Sequence, residues 1–213
     1  MKTRVLGIVV LILVTLQPLL GQEAPQTLQL PRPDSTGGKP LLQALKERKS
    51  SRSFSDRKIP PQVLSHLLWA AFGVNRPDGR RTAPSARNRQ EIEILLFMSE
   101  GVYLYDAKAH ALNRITTGDL RAKTGMQDFV SEAPLNLVYV ADMSTTGTQS
   151  AEEAAFYVGA DCGFIAQNVY LYCASEGLGV VVRGLVDRNE LKALVKLAPN
   201  QRILLAQTVG YLK

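Results

Sequence analysis

From Ala151 to Glu176 the chain reads AEEAAFYVGADCGFIAQNVYLYCASE, the longest helical pattern in the sequence. Apolar residues occur almost all round it, among them Phe156, Val158, Phe164, Ile165, Val169, Leu171 and Cys173. A helix of this kind has no face for water and is buried on more than one side. Two arrangements satisfy that demand. The helix is central to one subunit, or part of its surface is covered by a second copy of the same chain. The pattern alone leaves both open. Gly177 and Gly179 end the helix.

Cys162 and Cys173, the chain's two cysteines, both fall in this helix, eleven residues apart. That spacing is roughly 16 Å along the axis, whereas a disulfide needs Cα atoms about 4.4–6.8 Å apart. They cannot bridge within the chain, and they read as small core residues. His66 and His110 are isolated in different elements, so no metal pattern exists.

The remaining elements alternate. LLQALKER places Leu41, Leu42 and Leu45 on one helical face. PPQVLSHLLWAAFG carries Val63, Leu64, Leu67, Leu68, Ala71 and Phe72 at helical spacing, with prolines at its start and Gly73 at its end. The period then changes to that of strands in EIEILLFMS, GVYLYDA and HALNRIT, which read as a meander. GDLRAKTGMQDFV is irregularly helical, LNLVYVAD is a buried strand, and VVVRG is a short one. Asp187 and Glu190 make a capping-box-like start to RNELKALVKL, and RILLAQTVGY closes the chain as a strand. The sum is an α+β domain with a mostly antiparallel sheet flanked by helices.

Before the domain, Lys2 and Arg4 precede about twelve mostly apolar residues, Val5 to Leu16, followed by Pro18 and Gly21. This order is that of a secretory signal over residues 1–21, with an uncleaved anchor as the alternative. A good membrane span needs about 20 apolar residues. The reading places the mature protein outside the cytoplasm, in the periplasm. Residues 22–40, rich in proline and containing a Gly-Gly pair, read as a tether, and the folded domain as 41–213. Removing 1–21 takes away Lys2 and Arg4 and no acid, lowering the net charge from +6 to +4. The basic side chains are scattered and not interleaved with aromatics, so nothing calls for a nucleic-acid partner.

Three stretches invite a chemical reading. In KERKSSRSFSD, Arg48, Ser50 and Arg52 stand at alternate positions, with Lys49 beside them. If extended, the two guanidinium forks and the hydroxyl face one way and suit a phosphate or an acceptor-rich edge. If helical, Ser50 leaves that face, and the basic residues simply complement a helix C-terminus. In RRTAPSARNRQ, Pro84, Ser85 and Ala86 form a small-residue loop before a strand, with Asn88 two residues on. Small residues let backbone amides approach a flat ligand, and an amide side chain both donates and accepts at its edge. In GLGVVVRGLVD a strand runs into Arg183 and Gly184, where glycine exposes backbone N–H groups. Each stretch alone is also an ordinary polar segment.

Taken in order, the three stretches resemble the nitroreductase family of flavoproteins. Arg48, Ser50, Arg52 and Phe54 match its Arg-x-Ser-x-Arg/Lys-x-Phe segment; Pro84, Ser85, Asn88 and Gln90 match its Pro-Ser-x-x-Asn-x-Gln loop. QNVYLYCASEGLG and the terminal VGY are further landmarks, and the likeness covers roughly residues 41–211. RTAPSA, GVYLYDAKAHAL and GDLR look most like the dehydrogenase branch related to the thiazoline and oxazoline oxidases of peptide maturation.

The resemblance implies a homodimer with FMN at the subunit interface. Arg48, Ser50 and Arg52, with Lys49, would meet the phosphate, the ribityl chain and the N1/O2 edge. Pro84, Ser85, Ala86 and Asn88 would come from the partner and line the ring. Arg183 and Gly184 would offer backbone N–H near N5. It further implies two half-reactions through flavin N5, with NAD(P)H as a possible donor and a small electron-poor or dehydrogenatable molecule as substrate. No catalytic side chain is required, because the hard chemistry belongs to the cofactor. Two other readings remain: a flavin-binding or interaction module of this fold without catalysis, and an exported basic domain adhering to anionic surfaces.

Overall fold

The computed structural model describes residues 27–213. The signal-like run and the start of the tether lie outside the described residues. Seven strands form one antiparallel sheet in the order β1-β4-β3-β2-β5-β7-β6. They are β1 (Thr27–Gln29), β2 (Ile92–Met98), β3 (Gly101–Asp106), β4 (Ala111–Thr117), β5 (Leu135–Asp142), β6 (Gly179–Arg183) and β7 (Gln201–Gly210). The helices are α1 (Leu41–Glu47), α2 (Pro61–Phe72), α3 (Phe129–Glu132), α4 (Ala151–Glu176) and α5 (Arg188–Leu194). Short 3₁₀ turns at Ala86–Asn88 and Arg121–Thr124 punctuate the connections. The α+β class, the meander, the buried strand and the long helix all stand as the sequence pattern implies.

Strand β5, LNLVYVAD, is apolar on both faces because both are covered. On one face lie α2 and α4, where Leu67, Leu68, Phe72, Val158, Ile165 and Val169 meet Ile94, Leu96 and Tyr139. On the other, Val186, Leu191 and Val195 around α5 cover Leu95, Phe97, Val138, Val140 and Ile203. Helix α4 is capped at both ends. The Ser150 side chain accepts from the Glu153 N–H at 3.2 Å, and Gly177 at φ 70° turns its N–H back to the Cys173 carbonyl. Cys162 and Cys173 are buried and unpaired, as their spacing requires.

The tether expected over 22–40 is docked along its described part. β1 pairs in register with β4, and Leu30 is buried, its N–H donating to the His110 carbonyl at 3.2 Å. Ser65 Oγ donates to the Pro31 carbonyl at 2.6 Å, and the Lys39 N–H to Ser175 Oγ at 2.8 Å. The alternation in TLQL was masked by the surrounding prolines, and β4 would otherwise be a bare sheet edge. A second difference concerns α1. Ala44 is the residue buried there, and Leu41, Leu42 and Leu45 point outward.

Helix α4 is also uncovered along one stripe. Phe156 is 71% exposed and Phe164 48%. Gly159 and Gly163 lie between them, and a Cβ at either glycine would meet nothing within 4 Å. The apolar surface that the sequence wraps round this helix is thus only partly used by one chain.

Candidate functional site

The first stretch is extended, as one of its two readings expected, and is held at both ends. The Ser51 N–H donates to the Val180 carbonyl at 2.9 Å and the Ser55 N–H to the Tyr211 carbonyl at 2.8 Å. Between them Phe54 is wholly buried against Phe129, Ala133 and Val181, and bridges Leu212. Ser50 Oγ meets the Tyr170 hydroxyl at 2.8 Å, and that hydroxyl accepts the Val182 N–H at 3.0 Å. The Arg48 guanidinium lies over the Tyr170 ring, 5.2 Å from its centroid. Lys49 and Arg52 are exposed and make no ion pair or hydrogen bond among the described residues. Beside Lys49 opens a cleft of about 330 Å³, lined also by Lys39, Glu47, Ser51, Tyr170, Val180 and Leu212; Ser50 and Arg52, at the alternate positions of the extended segment, do not line it.

The second stretch is a strained loop. Arg87, Asn88 and Gln90 have φ of 53°, 54° and 53°. The left-handed region suits asparagine but costs arginine and glutamine of order 1 kcal/mol each. Hydrogen bonds offset this. Ser85 Oγ accepts the Gln90 N–H at 2.9 Å, the Ser85 carbonyl accepts the Asn88 N–H at 2.9 Å, and Gln90 Nε2 donates to Asn88 Oδ1 at 3.0 Å. The Ala86 N–H donates to Asp161 Oδ2, on α4, at 2.8 Å. Pro84, Arg87 and Asn88 are exposed.

Glu91 follows this loop. It is 4% exposed and Asp161 is 2% exposed. Neither Glu91 carboxyl oxygen finds a conventional donor among the described residues. Burial, reinforced by the Asp161 carboxyl beside it, pushes the Glu91 acid up to about 7. Glu91 therefore carries a proton well above the usual carboxylate range.

In the third stretch the two residues part company. The Arg183 side chain is buried, donating to Thr124 O at 2.8 Å, Thr208 Oγ1 at 3.0 Å and Asn136 Oδ1 at 3.2 Å. Its guanidinium is held wholly by neutral oxygens, and burial lowers its proton affinity toward a pKa of about 10. Gly125 packs so closely on it that any Cβ there would collide. What Arg183 offers a ligand must come from its backbone. Gly184 is exposed, and a Cβ there would meet only Leu205, at 4.0 Å.

The first two stretches are moored to opposite sides of α4. Tyr170 lies nine residues beyond Asp161, about 13.5 Å along the axis and half a turn round it. One chain does not wrap both onto one face of this helix. By the same count Phe156, Gly159 and Gly163 lie on the Tyr170 side of the helix, about two to four turns nearer its start.

The largest cavity, about 1240 Å³, lies elsewhere, under β1 and the start of α2. Its lining is mostly apolar, including Leu30, Ile59, Leu64, Tyr103, Leu112 and Pro134. The cations on its rim are neutralised by Lys58–Glu100, Lys213–Glu132 and Arg121–Asp119 pairs. It offers no grip on an anionic cofactor, and the candidate site is placed at the free cations instead.

Sequence reading missed Tyr170, Asp161 and Glu91. An acid at Asp161, inside an otherwise apolar turn of α4, is the one signal that was available. Among the described residues no group of His, Cys, Asp and Glu is arranged to hold a metal ion, and no helix is long and apolar enough to cross a membrane.

Residues 45–211 match the family model described as Nitroreductase family. A protein of Methanocaldococcus jannaschii assigned as a nitroreductase is 32% identical over 181 residues, covering 80% of this chain and 91% of that protein. A solved structure from Ralstonia eutropha JMP134, also assigned as a nitroreductase, superposes with a TM-score of 0.84 at 41% identity, covering 89% of this chain and 94% of the other. A chain of the Escherichia coli microcin synthetase complex superposes with a TM-score of 0.67 at 19% identity, over 96% of this chain and 85% of that one. The last is a likeness of fold alone.

Proposed function

The chain belongs to the nitroreductase family of oxidoreductases and has its α+β fold, and on that premise we propose that it is an FMN-dependent enzyme working as a homodimer. The observation that carries the reading is the extended segment itself, in which Arg48 and Ser50 both rest on Tyr170 and Arg52, two residues on, is exposed and unpaired. A dianionic phosphate is the ligand such an unpaired guanidinium suits. Gly184 fits the same group, because its open surroundings leave backbone within reach of a flat ring.

Bound FMN supplies two-electron transfer at its N5. The protein supplies grip and geometry. Arg52 would hold the phosphate, with Lys49 adding positive charge nearby; Ser50, fixed by the Tyr170 hydroxyl, would donate to the ribityl chain; Arg48, laid on the Tyr170 ring, would supply positive charge toward the N1/O2 edge. Gly184, with Arg183 before it, would offer backbone toward N5. Pro84, Ser85, Ala86 and Asn88 would close the ring from the partner. The stripe of Phe156, Gly159, Gly163 and Phe164 is the surface on which the second copy sits, two glycines allowing close helix approach.

The substrate is a small electron-poor acceptor or a molecule that is itself dehydrogenated, with NAD(P)H as a possible donor. Motif likeness favours the thiazoline and oxazoline oxidase branch. The signal-like residues 1–21 assign the enzyme to the periplasm. The test is direct. Purified protein is expected to be yellow, to elute as a dimer and to release FMN on denaturation, and Arg52→Glu to lose FMN while folding normally by circular dichroism. A colourless protein that takes up no FMN at saturation overturns the reading.

A further inference from the structure

The loop carrying Pro84, Ser85, Ala86 and Asn88 is tied at both ends to one buried carboxyl pair. At its start the Ala86 N–H donates to Asp161 Oδ2 at 2.8 Å. At its end Glu91, five residues on, brings an almost wholly buried carboxyl to the same Asp161. Between these points stand the three left-handed residues Arg87, Asn88 and Gln90. The loop is therefore a strained arch whose two feet rest on a contact between two acids.

The other charged groups nearby are turned away from this contact. Arg81 donates to Gln90 Oε1 and lies over the Phe72 ring. Arg89 packs on Gly147. Asp142, whose N–H donates to the Glu91 carbonyl, turns its carboxylate to Ser144 and Asn200. Glu93 bonds Gln201. From α4, Asp161 is the charged group that faces Glu91. Among the described residues no cation faces Glu91 to offset the cost of ionising it in this dry site.

We propose that Glu91 and Asp161 are positioning residues for this loop: the proton on Glu91 bridges the two carboxyls, Asp161 then holds the Ala86 N–H, and loss of that proton releases the loop from the flavin it lines in the partner subunit. With the proton in place, Glu91 is a donor and Asp161 an acceptor, so one of the two otherwise unpartnered Glu91 oxygens is satisfied. Without it, two buried carboxylates repel, and the strain at Arg87 and Gln90 is free to relax outward. The proposal rests on the reading of the loop as one wall of an FMN site. It adds to that reading a dependence of cofactor affinity on pH, set by residues that touch no cofactor.

The sign follows from the raised proton affinity of Glu91. The closed loop holds a proton that the open loop gives up, so closure is complete at acidic pH and is lost as pH rises through about 7. Hydrogen exchange at the Ala86 amide in the apoprotein, corrected for intrinsic rates, reads the loop without needing cofactor. Between about pH 5.5 and about pH 8.5 its protection is expected to fall roughly thirtyfold if opening returns Glu91 to the ordinary carboxylate range. In Glu91→Gln the amide stays donor to Asp161 at every pH, and protection stays flat. In Asp161→Asn the new amide still accepts from Ala86 and now donates to Glu91, and protection again persists at high pH. FMN dissociation constants measured by fluorescence quenching should weaken at high pH in the wild type relative to Glu91→Gln, the variant carrying the phosphate's own titration as control. Wild-type protection that does not change with pH overturns the proposal, as does a pH dependence retained in both variants. A pH-dependent loop in a protein that takes up no FMN leaves the acid pair standing as a loop latch and overturns the flavin reading instead.

Discussion

The two moorings on α4 are built on different principles. At Tyr170 the hydrogen bonds run between neutral groups and are saturated. The hydroxyl meets Ser50 and Val182, the ring lies under Arg48, and nothing there is strained. At Asp161 the contact depends on a proton, and the loop it holds contains three residues in the left-handed region. The difference teaches which half of the site is scaffold and which is adjustable. On the proposed function, a phosphate grip works best on a fixed wall, whereas a loop that lines a partner's site must settle after two chains meet. Fully satisfied polar networks rigidify, and partly satisfied ones are where a fold yields.

The comparison breaks most sharply if the two halves do not need a second copy. Gly163 stands in open space in the single chain, so Gly163→Arg should leave each subunit folded while blocking close approach of two α4 helices. Light scattering should then report a monomer, and FMN should be lost although no cofactor-facing residue has changed. A dimer that persists with FMN bound would show that the halves are joined some other way. Next in size is the scaffold end. Tyr170 is 7% exposed, and Tyr170→Ala should cost about 3–5 kcal/mol by urea unfolding. Tyr170→Phe, which keeps the ring under Arg48 but leaves the Val182 N–H unpaired, should cost about 1–2 kcal/mol. If both variants cost the same, the hydroxyl rather than the ring is what holds this wall.

The smallest effect belongs to the adjustable end and depends on pH. Glu91 has a raised pKa, so the folded state keeps a proton that the unfolded chain sheds between about 4.5 and about 7. Its contribution to stability is whole below that window and is lost as pH rises through it. Glu91→Gln should match the wild type near about pH 4.5 and be more stable near about pH 8, by on the order of 1–2 kcal/mol in thermal or urea unfolding. An equal gap at both pH values would mean that the glutamine acts by packing and that the two ends of α4 are less different than their contacts suggest.

Much of the fold was legible because periodicity reports burial directly. The change from helical to alternating spacing at Glu91 marks the start of β2, and the capped apolar run from Ala151 to Glu176 is α4 residue for residue. The edge strand β1 escaped notice because three residues among prolines carry too little pattern to compete with composition. The leucines of α1 misled in another way. Their spacing marks a face, but not what the face meets, and in the single chain it meets water.

For the site, the sequence by itself determined which segments carry chemistry. The Arg-x-Ser-x-Arg run, the Pro-Ser-Ala loop and the Arg183-Gly184 turn are local patterns, and residue type with spacing suffices to find them. Tertiary structure alone decided how each residue is used. It laid Arg48 on Tyr170 and left Lys49 and Arg52 free. It sank the Arg183 side chain among neutral oxygens and set Glu91 against Asp161 across seventy residues of chain. The physical reason is the range of the forces involved. Propensity and periodicity act between neighbours in sequence, but desolvation and charge–charge coupling depend on what the folded chain brings within a few ångströms, and no single stretch of sequence contains that information.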